Sequence, residues 1–180
     1  MFGFFTKKLL RLVIASGRRR PRKKPTKKYR VKSRYKHPAA SYTINGKAYV
    51  IDGDSIRCNG YEIRLDDVDA PEYDQFAYDQ NGQSVPIGAI AKSALIKKIG
   101  GKTVKVKVSK TDLYGREVGT IFYGDENINL WLIKRGLAVS AFGNKYFKAE
   151  QWAKNKRLGI WGLELNHTPQ EWRKKYTVGS

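Results

Sequence analysis

Residues 49–72 read YVIDGDSIRCNGYEIRLDDVDAPE. Tyr49 to Asp52, Ser55 to Asn59 and Tyr61 to Val68 are short β-prone runs, parted by Gly53 and by Asn59-Gly60. An Asn-Gly pair between such runs is a strong hairpin signal, because both residues tolerate the positive φ of a tight two-residue turn. The stretch therefore predicts three strands in a meander.

The strand pattern begins at Tyr42 and gives way after Asp79. Over Pro86 to Ile99 the period changes: Ile87, Ile90, Ala91, Ala94 and Leu95 recur at helical spacing, with Ser84 and Pro86 at the start and Gly100-Gly101 as the stop. Thr103 to Val108 alternates again, with Val104, Val106 and Val108 on one face and Lys105 and Lys107 on the other. Glu117 to Tyr123 supplies a further strand after the Leu113-Tyr114-Gly115 turn. Asn127 to Arg135 reads as a capped helix, Leu137 to Ala141 as a brief strand, and Lys145 to Leu158 as a helix ended by Gly159. Many short antiparallel strands with a few helices predict an α+β protein, mainly β, built on a small, partly open barrel of the oligonucleotide-binding type.

The chain's 36 Lys and Arg against 16 Asp and Glu give a net charge of +20, and residues 1–40 hold 15 of the basic residues and no acidic one. That stretch cannot bury enough apolar surface to offset its ordering entropy, so a disordered basic arm is expected over 1–40. Its candidate partners are nucleic acid and an anionic membrane surface. Phe2 to Ile14 could form a short amphipathic helix, but Arg11 interrupts the apolar run and leaves too short a core for a signal peptide. Export and membrane association both stay open. The remaining boundaries are a domain over 41–165 and a C-terminal extension over 166–180. One cysteine, Cys58, and two histidines, His37 and His167, exclude an internal disulfide framework and a cysteine- or histidine-rich zinc site. A bound metal would need oxygen ligands.

Nine of the 16 acidic residues fall between Asp52 and Asp79. Carboxylates gathered there repel one another unless a cation joins them. Strict alternation would put Arg64 and Asp69 on opposite faces, so a site that used both would require a bulge or strand end near Asp66-Asp67. Those two aspartates are expected to be solvated or paired with lysine. Trp131, Trp152 and Trp161 read as core; Trp172, beyond the barrel, has no assignment.

YVIDGDSI at 49–56, IRLDDVDAPE at 63–72, DLYGREVGTIF at 112–122, and NLWLIKRGLA followed by the AEQWAKNKRLGIWG helix end together resemble the staphylococcal nuclease, or thermonuclease, family. The resemblance covers roughly residues 42–162. It implies a five-stranded barrel with three packed helices and a calcium-dependent, sugar-nonspecific phosphodiesterase acting on DNA and RNA and leaving 3′-phosphate ends. One calcium ion would be held by Asp54, Asp69 and the backbone carbonyl of Ala70, with Asp52 behind them. Glu72 matches the family's general base, and Arg64 and Arg116 match its two catalytic arginines. Tyr114 is a candidate substrate contact, and a monomer is expected. Two planar guanidiniums and a hard cation would place fixed positive charge where a phosphodiester under attack by water gains negative charge. Leu113 stands where the best-known members carry a phosphate-contacting lysine, and the loop at 142–146 is shortened. The alternative is a nuclease-like barrel that only binds nucleic acid or a protein partner; the survival of all five charged residues favours the enzyme.

Overall fold

The computed structural model describes residues 41–141, 143–165 and 167–176, so the arm at 1–40 lies outside the described residues. Strand β1 spans Tyr42–Asp52, β2 Ser55–Cys58 and β3 Tyr61–Leu65. Asn59 and Gly60 join β2 to β3 at φ of 49° and 83°, the left-handed pair that the hairpin signal demands. Strand β6 (Thr103–Thr111) pairs antiparallel with β1, and β7 (Glu117–Tyr123) pairs antiparallel with β6. Closure comes from β7 lying parallel to β3, with Arg64 opposite Val118, which gives a five-stranded barrel in the order β3-β2-β1-β6-β7. The fold is thus α+β, with a barrel of the oligonucleotide-binding type.

Alternation decides which face fills it. Ile44 and Ala48 of β1 and Val104, Val106 and Val108 of β6 are buried, while Lys105 and Lys107 face out. Ile56, Ile63, Leu65 and Ile121 complete the interior, each fully buried and each worth about 1.5–3 kcal/mol by the transfer of a large aliphatic side chain.

Helix α1 (Ile87–Ile99) lays Ala91, Leu95 and Ile99 on the barrel core, as its period predicts, while Ile87 packs in a separate small cluster with Ala77 and Ile160. Its start differs from expectation: Ser84 belongs to β5 (Ser84–Val85), which pairs with β4 (Ala77–Tyr78), and no side chain caps the helix. Two strands of two residues are too short to show alternation. After β8 (Glu126–Asn127), helix α2 (Ile128–Lys134) begins with Asn127 Oδ1 accepting from the Leu130 N–H at 3.0 Å, and Gly136 follows it at φ 62°. Helix α3 (Phe147–Asn155) buries Ala149 and Ala153. Trp152 is half exposed, and Trp131 and Trp161 are only partly buried. The reading of Trp152 as core therefore fails, because Ala149 and Ala153, not the indole, lie on the buried face of this helix.

Instead of a strand at Leu137 to Ala141 there is a single bridge between Val139 and Asp69. A fourth helix, α4 (Pro169–Tyr176), adds to the three expected. It buries Trp172, whose ring meets Phe76 edge-on and Tyr176 at a tilt. The segment leading to α4 pairs its Glu164 with Tyr78 of β4. Among the described residues no helix is long and apolar enough to cross a membrane.

Candidate active site

Asp54 sits in the turn between β1 and β2, and its carbonyl accepts from Leu65 N–H at 2.9 Å, joining this turn to the end of β3. Arg64 is the penultimate residue of β3. The strand ends at Leu65, Asp66 N–H donates to the Gly119 carbonyl at 2.8 Å, and Asp67 turns the chain at φ 55°. That left-handed residue lets Asp69 return toward the face that Arg64 occupies. One Arg64 Nη2 lies 3.1 Å from Asp54 Oδ2 and 3.0 Å from Asp69 Oδ1. The Ala70 N–H also donates to Asp54 Oδ2, at 3.3 Å.

Asp54 and Asp69 are both buried. Burial pushes the Asp54 carboxyl up to about 6; Arg64 pulls it down, and Asp69 and Glu72 add to the rise. Desolvation wins over the ion pair to Arg64, so Asp54 carries its charge at a cost that further positive charge would relieve.

Glu72 follows Pro71 in the loop that leads to β4. Its backbone is clamped by the fully buried Gln75, whose Oε1 accepts from Glu72 N–H at 3.2 Å and whose N–H donates to the Glu72 carbonyl at 2.8 Å. The N-terminus of α1 presses on the same backbone at Gly88, where any Cβ would overlap the Glu72 carbonyl.

The structure does not bring the remaining expected residues into this group. Arg116, in the turn before β7, gives Nε and Nη2 to Asp112 Oδ2 at 2.8 Å each and stacks over the Tyr114 ring. Burial raises the Asp112 carboxyl, but hydrogen bonds from Arg116 and from the Tyr114 N–H outweigh it and hold the group below its ordinary value. Leu113 and Tyr114 stand almost wholly exposed at the tip of this turn. Asp52 Oδ1 accepts from the adjacent Gly53 N–H at 3.0 Å and serves the β1–β2 turn. Asp66 pairs with Lys145 at 3.1 Å, as expected, whereas Asp67 is buried and accepts from Ser140 Oγ at 3.0 Å.

One site residue escaped the sequence reading. Arg173 of α4 places Nη1 and Nη2 at 3.0 and 2.9 Å from the two oxygens of Asp69, and Nη1 at 2.7 Å from Glu72 Oε1. Burial works against its charge, but Asp69 and Glu72 more than offset that and push its pKa up. The sequence did carry a signal for the helix. Thr168-Pro169-Gln170-Glu171 is a capping box with proline at the first helical position, and Thr168 N–H donates to Glu171 Oε2 at 2.7 Å while Glu171 N–H donates to Thr168 Oγ1 at 3.3 Å.

The family model described as staphylococcal nuclease homologue matches residues 62–162. The chain belongs to that family. The chain is 38% identical over 133 residues to the succinoglycan biosynthesis protein ExoI of Rhizobium meliloti, covering 71% of this chain and 70% of that one. It is 32% identical over 124 residues to the staphylococcal-like nuclease CAN1 of Arabidopsis thaliana, covering 67% of this chain but 35% of that relative. An uncharacterized endonuclease of Haemophilus influenzae is 27% identical over 138 residues, with 72% of each chain covered. The match to the plant nuclease thus spans about a third of that relative's length.

Among the described residues no group of three or more His, Cys, Asp or Glu side chains is arranged to hold a metal ion. What this family member offers is two buried carboxylates with oxygens near one guanidinium nitrogen. Such a donor set suits a hard cation that takes its remaining ligands from water and a phosphate.

Proposed function

We propose that the protein hydrolyses phosphodiester bonds of DNA and RNA with one calcium ion. The convergence of Asp54, Arg64 and Asp69, with Glu72 three residues further on, carries this reading. Asp54, Asp69 and the Ala70 carbonyl would hold the ion, and Asp52 supports the turn that presents Asp54. Calcium, when bound, supplies a hard positive charge beside the phosphate. Arg64 binds a non-bridging phosphate oxygen and orients the ester, using donors that now satisfy the two aspartates. Arg116 reaches the same phosphate from the β6–β7 turn after exchanging Asp112 for it, and Tyr114 offers an exposed ring to a base. Glu72 takes the proton of the attacking water as its oxygen bonds to phosphorus; the bond from phosphorus to the 5′ oxygen breaks, that oxygen takes a proton from solvent water, and a 3′-phosphate end is left.

The names of the plant and Haemophilus relatives, a nuclease and an endonuclease, support this chemistry over the non-catalytic alternative. The same reading assigns residues 1–40 to an arm that tethers polyanion or an anionic membrane, 41–165 to the nuclease domain and 166–180 to an extension, in a monomer. Cleavage of plasmid and RNA with calcium, magnesium or chelator tests it. Calcium-dependent cleavage with 3′-phosphate ends is expected; retention of both nucleic acids without cleavage in any metal would leave the binding module.

A further inference from the structure

The side chain that fills the space between Asp69 and Glu72 comes from about a hundred residues away in sequence. Arg173 engages both oxygens of Asp69, one of the two carboxylates assigned above to calcium. A guanidinium and a divalent cation cannot both take those oxygens, and their like charges repel at that distance. The contact is also built in from the side. Trp172, next to Arg173, is buried against Phe76 and gives Nε1 to Asp74 Oδ1 at 3.3 Å. Gln75, which clamps the Glu72 backbone, gives Nε2 to the His167 carbonyl at 2.8 Å. One loop, residues 72–78, therefore holds both Glu72 and the segment that covers it.

We propose that Arg173 is an internal competitor for the divalent cation: α4 docked on the 72–78 loop closes the site, and cation binding at Asp54 and Asp69 requires α4 to leave. The proposal rests on the assignment of those two aspartates to a cation. Because coupling between two occupants of one site is reciprocal, whatever loosens α4 tightens the cation, and the cation loosens α4. An eight-residue helix is marginal away from its docking surface, so departure means unfolding of α4.

The test is calcium titration calorimetry on the full-length protein, on Arg173→Ala and on Trp172→Ala, with hydrogen exchange of the 167–176 amides in the unsubstituted protein. Both variants are expected to bind calcium more tightly, by about five- to 150-fold for couplings of ordinary size, and saturating calcium to strip protection from 167–176. Trp172→Ala keeps the arginine's charge, so tightening in Arg173→Ala alone would report only a lost positive charge and would overturn the competition. Unchanged affinity in both variants, or full protection of α4 at saturating calcium, overturns it too while leaving the cation site intact. Absence of calcium binding in all three proteins removes the cation site itself and the competition with it.

Discussion

Asp69 and Val139 exchange both of their backbone hydrogen bonds, at 2.9 Å each. This isolated pairing ties the turn after β3 to the segment after α2, and the adjacent Ser140 extends the tie by donating Oγ to Asp67 Oδ2 and its N–H to Glu150 Oε1, both at 3.0 Å. The backbone of Asp69 is thereby fixed by partners other than the two arginines that hold its carboxylate. A buried carboxylate held in this way keeps its position when its cationic neighbours change.

Asp54 gives the first prediction. Its folded pKa of about 6 lies above its ordinary value of 3.8, so the folded protein holds this proton more tightly than the unfolded chain does. The stability it contributes is present below about pH 4 and is lost as the pH rises through about 6. Asp54→Asn removes the ionisation cost and should stabilise the protein in chelator at pH 7 by about 1–3 kcal/mol. The difference between variant and parent should vanish near pH 4 and grow to pH 6. Calcium should raise the melting temperature of the parent and not that of the variant; denaturation across this pH range, with and without calcium, measures both. A variant less stable than the parent at pH 7 in chelator would refute the burial argument.

Asn129 gives the second. It is fully buried, its Oδ1 accepts from Ile121 N–H at 3.0 Å, and its Nδ2 donates to the carbonyls of Asp66 at 2.9 Å and Gly119 at 3.2 Å. Gly119 keeps a second donor in Asp66 N–H, but the other two groups would be left with no replacement from a leucine side chain. Asn129→Leu should cost about 2–6 kcal/mol, the sum for two polar groups stripped of partners at about 1–3 kcal/mol each. Urea unfolding should show a lower midpoint with an unchanged slope; a cost below about 1 kcal/mol would mean that water replaces the amide.

The barrel was legible where a long strand buries one face, as β1 and β6 do; β7 is buried on both faces over its first five residues. Val104, Val106 and Val108 against Lys105 and Lys107 state their own orientation, and Asn59-Gly60 states the turn. Arg64 and Asp69 were legible as a pair only by demanding a strand end between them, which Asp67 supplies. What failed to show were features set by partners distant in sequence. The pairing of Asp69 with Val139 uses one residue on each side, too few for a period, and Trp152 is left half exposed because its alanine neighbours pack first. Helix α4 announced itself in its capping box, yet nothing local tells an arginine on it that Asp69 and Glu72 lie beneath.

The proposed chemistry makes the third prediction. A positioned base typically contributes about a hundredfold to ten-thousandfold in rate, and one strong electrostatic contact a comparable factor. Glu72→Gln and Arg116→Ala should each fold and each lose at least about a hundredfold in turnover at saturating substrate. They should differ in the calcium-free state: Glu72→Gln weakens the ion pair to Arg173, while Arg116→Ala disturbs only the β6–β7 turn. Near-normal turnover in Arg116→Ala would leave that arginine as the structural partner of Asp112 alone.

The basic arm carries the last prediction. Residues 1–40 hold 15 positive charges with no acidic residue among them, whereas every side chain assigned to catalysis lies at or beyond Asp52. Phosphate neutralisation releases counterions, so each engaged charge steepens the fall of log affinity with log salt by roughly 0.7 to 0.9. Deletion of residues 1–40 should flatten that slope and raise KM at low salt, and should leave kcat and the melting temperature of the barrel nearly unchanged. Loss of kcat, or unfolding of the truncated protein, would show that the arm belongs to the domain and that the boundary at residue 40 is misplaced. An unchanged salt slope combined with lost association to anionic vesicles would assign the arm to a membrane surface, because the charge would then be spent on lipid phosphate and not on substrate.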